Sequence, residues 1–458
     1  MAQGPGGSPP IMVDRLSFPA GFRWGVATAA YQNEGGNTNS QWYEWELAGH
    51  IRAGDGCGLA CDWWAHAERD FDRAQAMGLN ALRLSVEWSR IEPTEGIWDP
   101  APIARYRQML RGLLERGIEP MVTLHHFTNP IWFERRGAFL SREAARLFAR
   151  FAAHIAEELG DLCDLWCTVN EPNVYSIFGY ELGDYPPGRT HDLSATARAQ
   201  AGMAHAHAAA YRALHAVQPA ARVGWAQHYD VLDPARKHSR LDRIVAHIQD
   251  MVFNDFFTDA VRVGRCGLPV SLFVDDLSDV RGTCDFVGIN VYSRHIVKFD
   301  LSNPAELFGT RSVAPDAPIG DPGINSPIGE IYPQGIARMA LRAAGLGKPV
   351  YVTESGVADA ADGLRPWVIA RATASSHEAH MAGIDLRGYY HWTLVDNFEW
   401  TQGWTQCFGL IGMDHTTQRR IARRSAEFYS AIARANALTR EMVEQYAPSA
   451  LAAVFPGG

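Results

Sequence analysis

No run of about 18 consecutive apolar residues occurs in the 458-residue sequence, so no segment is long enough to cross a bilayer as a helix. The opening MAQGPGGSPPIMVDR lacks the apolar core of a secretory signal, and a cytoplasmic protein is expected. Basic clusters are missing as well. The net charge is −9, and the longest basic run, residues 419–424, reads as a solvated stretch beside the last helix. A nucleic-acid surface is therefore not expected. Cysteine is sparse and odd in number: seven residues, at 57, 61, 163, 167, 266, 284 and 407, with neither zinc-ribbon nor thioredoxin spacing. Buried free thiols in a reducing compartment fit that count. Neither an internal repeat nor a low-complexity linker interrupts the chain, and homo-oligomer formation is left open.

With 47% hydrophobic and 20% charged residues, the chain can bury a large core. Its length suits a single (β/α)8 barrel with insertions, a fold that runs from about 200 to more than 400 residues. Short apolar runs at 22–28, 81–88, 120–127, 165–170, 222–228, 286–292, 349–353 and 386–394 predict eight strands. Amphipathic stretches at 69–77, 103–116, 142–159, 195–217, 254–263, 335–344, 366–382 and 424–436 predict the helices between and after them. That alternation also fits a doubly wound open sheet. The polar residues decide for the barrel: Arg83, His126, Asn170, Glu171, Asn290, Glu354 and Trp392 all fall in or at the ends of predicted strands, where barrel enzymes assemble their sites. The expected organisation is a flexible segment at 1–16, a TIM-barrel catalytic domain at 17–446 and a tail at 447–458. Loops at 29–60, 172–192 and 296–330 read as insertions over the mouth.

Two carboxylates stand out. WCTVNEPN puts Glu171 directly after a buried strand, and PVYVTESG puts Glu354 at the end of another. Either alone would more often cap a helix or pair with an arginine. Together they match what glycosidic hydrolysis requires: two carboxyls flanking one carbon, one holding a proton and the other ionised. His125 and His126 point to opposite faces of a strand, so they do not form a metal pair. His205 and His207, in an Ala-rich helix, read as packing.

The blocks FPAGFRWGVATAAYQNEG, NALRLSVEWSRIEP, WCTVNEPN, DFVGINVYSR, VYVTESG and WTLVDNFEW resemble, in order, the signature blocks of glycoside hydrolase family 1, the β-glucosidase family. The resemblance covers about residues 18 to 436. It implies a retaining double displacement without metal or cofactor, on a small-molecule β-glycoside, with Glu171 as acid/base and Glu354 as nucleophile. Retention requires the carboxyls to lie roughly 5–5.5 Å apart. By the same resemblance Arg83 and Tyr292 stand beside the nucleophile, and Asn170 binds the sugar 2-hydroxyl. Gln32, His126, Asn290, Glu399, Trp400 and Phe408 line the sugar, with Trp392 as platform. Tyr175, Phe178, Gly329 and Trp404 face the aglycone.

The chain departs from the family pattern at several places. Phe127 follows His126 where tryptophan is common, Ser355 follows the nucleophile where asparagine is usual, and Cys407 replaces an arginine. Trp404 stands where a tyrosine is common, and the loop after Gln32 lacks the usual charged run. Gly329 occupies a position often held by tryptophan, which implies a mouth open to bulky aglycones. A β-glucosidase is the expected activity. Broader β-glucosidase/β-galactosidase/β-fucosidase action and transglycosylation are the alternatives. A 6-phosphoglycosidase is disfavoured because Glu399 would meet the phosphate, and a binding-only scaffold because both glutamates are kept.

Overall fold

Parallel pairing runs without a break from β1 (Arg23–Ala27) through β2 (Ala81–Ser85), β3 (Glu119–His125), β4 (Leu165–Asn170), β5 (Arg222–Pro234), β6 (Phe286–Phe299) and β7 (Val350–Ser355) to β8 (Leu386–Trp392). β8 then pairs with β1, Gly388 opposite Arg23, and the sheet closes. An open doubly wound sheet has no such last pairing, so the fold is the expected (β/α)8 barrel. The computed structural model describes residues 14–268, 270–304, 306–321 and 329–456.

The strands are apolar on both faces because helices cover the outside and layered side chains fill the inside. Met121, Val122 and Leu124 of β3 and Val287, Ile289 and Val291 of β6 are all buried. Eight principal helices surround them: α1 (Trp63–Ala76), α2 (Pro100–Glu115), α3 (Ala144–Leu159), α4 (Leu193–Val217), α5 (Phe256–Val263), α6 (Gly335–Ala344), α7 (Arg365–Met381) and α8 (Arg424–Ala435). α3 shows why they dock. Leu147, Phe148, Phe151, Ala152, Ile155, Ala156 and Leu159 recur at helical spacing and are buried against the barrel. Caps mark the starts: the Asp99 carboxylate accepts from the Ala101 N–H before Pro100 opens α2, and Asp192 does the same for Ala195 in α4.

Several sequence-based boundaries shift. The third strand stops at His125, because Phe127 has a left-handed φ of 68°. α1 begins at Trp63, ahead of the predicted 69. β5 and β6 run past their predicted ends at 228 and 292, and Gly309–Ser312 and Glu330–Ile331 add antiparallel to β6. The stretch 296–330 is thus partly sheet rather than an open insertion, and a helix at Arg240–Asp250 went unpredicted. The domain limits move too. Arg15–Ser17 pairs with Ala437–Thr439, and the expected tail carries Ala450, Val454 and Phe455 buried in the main core. Most of the expected flexible segment, residues 1–13, lies outside the described residues. The basic run is solvated only in part: Arg419 and Arg424 are exposed, but Arg420 bonds Asp70 at 2.9 Å and Arg423 bonds Asp396 at 2.7 Å, both largely buried.

Candidate active site

Glu354, at the C-terminal end of β7, lies in register with Asn290 of β6. Its two oxygens are separately held. Arg83 of β2 donates to Oε1 at 2.5 Å, and the Tyr292 hydroxyl donates to Oε2 at 2.8 Å. Arg83 is wholly buried, so its charge acts in a low dielectric. It is aimed by donation to Thr123 Oγ1 at 2.9 Å and Asn170 Oδ1 at 2.5 Å.

That last bond fixes several others. Because Asn170 Oδ1 must accept from Arg83, its Nδ2 must donate, and it does so to His126 Nε2 at 3.2 Å. His126 therefore carries its proton on Nδ1, and burial followed by the Arg83 charge holds the ring neutral by lowering its pKa. His126 Nδ1 and Gln32 Oε1 are buried atoms without a protein hydrogen-bond partner among the described residues. Buried polar atoms left this way are costly unless a ligand satisfies them.

Glu171 stands one residue past β4 with φ of 47°, in the left-handed region and immediately before Pro172. A residue preceding proline is steered toward extended backbone, so this is a strained position. It is held by the Glu171 N–H bonding to Ala226 O at 2.8 Å. Its Oε1 accepts from Asn290 Nδ2 at 2.7 Å and lies 3.0 Å from His228 Nδ1. Asn290 is oriented by Thr353, whose hydroxyl donates to Oδ1 at 2.7 Å, and Nδ2 also reaches Asn170 Oδ1 at 3.2 Å. Asn170, Asn290 and Arg83 thus join the two glutamates into one network, while no donor among the described residues reaches Glu171 Oε2.

The third carboxyl is Glu399. Gln32 Nε2 donates to it at 3.1 Å and to the Phe398 carbonyl at 2.9 Å. Trp392, His126 and Trp400 form an aromatic stack beside it: His126 lies 5.9 Å from Trp392 and 6.0 Å from Trp400, tilted by 22° and 19°. Trp400 has a φ of 48° and is backed by Tyr31 and Trp42. Phe408 meets the Tyr292 ring edge-on at 6.3 Å. Burial, then the Glu354 charge, pushes Glu399 up to about 8, against donation from Gln32. Burial likewise raises Glu354 to about 7, while Arg83 and Tyr292 pull it back and the Glu171 charge adds to the rise. Glu354 and Glu399 are thus both held above the ordinary carboxylate range in the pocket that they share with Glu171.

The four aglycone candidates are not brought together: among the described residues they make no hydrogen bond or ring contact with one another. Tyr175 is a core residue, not a rim residue. It is 2% exposed, its hydroxyl accepts from Asn129 at 2.9 Å, and it packs edge-on to His125 and Phe139. Gly329 is there for its backbone. Its φ is 90°, and a Cβ would lie 2.6 Å from the Arg294 carbonyl oxygen, so a tryptophan cannot be added without displacing β6. Trp404 lies flat on His415 at 4.8 Å, with its N–H to Gly56 O at 3.2 Å. Phe178 packs on Tyr185 at 5.0 Å.

Two residues escaped the sequence reading. Tyr185 meets Trp42, Phe127 and Trp400, and so closes the aromatic wall from the 172–192 loop; only its place in a predicted insertion hinted at that. His228 was visible as the final residue of a predicted strand, where the other site residues also fall. His125 turns away from the pocket to Asn129, as strand alternation predicts.

The sequence profile of glycosyl hydrolase family 1 matches residues 14–438. The chain is 31% identical to the β-glucosidase A of Thermotoga maritima, over 92% of this chain and 98% of that protein. It is 30% identical to a β-galactosidase of Sulfolobus acidocaldarius, over 93% and 97% of the two chains. A solved structure of the Thermotoga maritima family 1 glycoside hydrolase, complexed with a cyclophellitol analogue transition state mimic, superposes with a TM-score of 0.88 at 30% identity. That superposition covers 93% of this chain and 100% of the other.

Proposed function

The chain belongs to glycosyl hydrolase family 1, and we propose that it is a retaining β-glucosidase that releases terminal non-reducing β-D-glucosyl residues, with Glu354 as nucleophile and Glu171 as acid/base. The observation that carries this reading is the unequal treatment of the two carboxyls. Glu354 has a donor on each oxygen, from Arg83 at 2.5 Å and Tyr292 at 2.8 Å. Donors on both oxygens favour the anion and offset part of the rise that burial imposes on Glu354. Among the described residues both hydrogen-bond partners of the Glu171 carboxyl lie on Oε1, which leaves Oε2 to deliver a proton.

In the first step a Glu354 oxygen attacks the anomeric carbon and forms the glycosyl ester, while the Glu171 proton passes to the departing aglycone oxygen. In the second, Glu171 removes a proton from water, which attacks the same carbon and returns Glu354 as a carboxylate. Neither step calls for a cofactor. The free N–H of Asn170 and the N–H of His126 are donors for sugar hydroxyls, Gln32 and Glu399 read a further edge, and Trp392 offers its face to the C–H patch.

A broader glycone range is favoured by one observation, the 30% identity to a protein named β-galactosidase. A phosphorylated glycone is disfavoured, because the neutral amide of Gln32 and the carboxyl of Glu399 face it and, among the described residues, no lysine or arginine is paired with Glu399 to meet a phosphate. Transglycosylation uses the same ester with an alcohol in place of water. A panel of aryl β-D-glucoside, galactoside, fucoside, mannoside, xyloside and 6-phosphoglucoside, scored by kcat/KM, tests the assignment. The glucoside is expected to lead. A leading 6-phosphoglucoside or mannoside would overturn it, and a galactoside within about tenfold would establish the broad reading.

A further inference from the structure

His228 ends the part of β5 that forms the barrel wall, where its Cα is paired with that of Asn290. It is not among the groups assigned so far to the reaction, yet it touches both halves of the network. Its Nδ1 lies 3.0 Å from Glu171 Oε1, and its ring lies nearly parallel to that of Tyr292 at 5.8 Å and 16°. Tyr292 is the residue whose hydroxyl holds Glu354. Phe253 packs edge-on against the ring at 5.7 Å.

We propose that His228 is a positioning residue for the acid/base: with Asn290 it ties up Oε1 of Glu171, so that Oε2 is the oxygen that exchanges the proton. The proposal rests on the reading of Glu171 as acid/base. A carboxyl that rotates freely presents either oxygen; two donors on one oxygen leave one orientation. The proton balance is simple. The Nδ1–H bond persists as Glu171 passes from acid to carboxylate, strengthens as charge develops on the carboxyl, and transfers nothing itself.

The imidazole also titrates. The groups facing it are Glu171 across the hydrogen bond, Glu354 behind Tyr292, and Asp230 two residues along the strand. Asp230 is in turn bonded to His295 and Ser293 of β6. On the Phe253 side the nearest charge is Arg311, 6.0 Å above that ring. Burial lowers the His228 pKa, but Glu171, Asp230 and Glu354 outweigh it and raise the value. The charged imidazole therefore persists to higher pH than an unperturbed histidine would, and the alkaline limb of the reaction carries that titration.

The test uses two variants with Glu171→Ala as control. Asn places an amide N–H where Nδ1 stood; Phe keeps the ring and removes the donor. Each is assayed for kcat/KM on an alkyl glucoside and on 2,4-dinitrophenyl glucoside, across pH. His228→Phe is expected to lose about 10- to 100-fold on the alkyl glucoside and little on the dinitrophenyl substrate, whose departure needs no proton. His228→Asn should restore most of the alkyl activity while its alkaline limb moves down by on the order of half a pH unit or more. Equal losses on both substrates, or an unmoved alkaline limb in His228→Asn, would overturn the proposal. If Glu171→Ala itself shows no leaving-group dependence, the acid/base reading has failed, and the proposal fails with it.

Discussion

Glu119 and Glu354 sit at opposite ends of the same barrel, each beside arginine, and their surroundings act on them in opposite directions. Glu119, at the start of β3, bonds Arg23 at 2.7 Å and Arg222 at 2.8 Å, and Arg222 also bonds Asp164. Burial pushes its pKa up, but the two guanidiniums more than cancel that and leave it below the usual carboxylate value. Glu354 has one arginine, Arg83, and two carboxyl neighbours, and its pKa goes up. The bottom of the barrel matches each charge with its opposite, while the top crowds like charges into a dry pocket. At the mouth Phe127, Glu171 and Trp400 adopt left-handed backbone. The closed end serves stability, and the open end holds reactivity at a cost in stability.

The largest effect should come from Glu354→Ala, with kcat falling on the order of 10⁵-fold or more, as for other nucleophile deletions. The fold should persist by circular dichroism; a variant within about a hundredfold of the parent would remove the top of the barrel from the comparison. Glu171→Ala comes next, with a loss of about 10²–10⁴ on poor leaving groups. Azide should restore turnover and yield the β-azide, because it attacks the ester from the face that Glu171 vacates. An α-azide would mean that the two glutamates have exchanged roles.

Smaller effects sharpen the contrast. Glu119→Gln should leave kcat/KM unchanged and cost about 1–2 kcal/mol of stability, between exposed and buried ion pairs. Because the folded pKa of Glu119 is depressed, that contribution is present above the ordinary carboxylate range and is lost as pH falls through the folded value. The cost should therefore shrink in acid, and urea melts at several pH values read it directly. Glu399→Gln should do the reverse. The folded pKa of Glu399 is raised to about 8, so stability is complete below the unfolded value near 4.5 and is lost as pH rises toward about 8. The neutral variant should match the parent in acid. It should exceed the parent by on the order of 1 kcal/mol above pH 8, an effect kept small because Glu399 is partly open to the mouth. A variant less stable than the parent at alkaline pH would show that the ionised carboxylate is not crowded.

The closed barrel was legible because its strands are apolar on both faces and its polar residues gather at strand ends. Glu171, Glu354, Arg83 and Tyr292 were legible as members of specific blocks. What the sequence hid is contact between distant segments. Nothing in AQHYD says that His228 reaches Glu171, because that depends on the register of β5 against β6. Nothing near Tyr175 says that it turns inward, because Asn129 and Phe139 come from other segments. Gly329 read as a missing side chain when its backbone was the point: the left-handed φ and the close approach to β6 belong to a pairing that composition cannot show. The long extensions of β5 and β6 were missed because the predicted strands stop where the barrel wall stops.

The central claim is that Glu354, held by Arg83 and Tyr292, forms the covalent bond to the sugar. Inactivation with a 2-deoxy-2-fluoro-β-glucoside bearing a good leaving group, followed by mass-spectrometric peptide mapping, tests it directly. One fluoroglucosyl group per chain is expected, on the peptide carrying VYVTESG, at Glu354. A label on Glu171, Glu399 or any other carboxylate would contradict it.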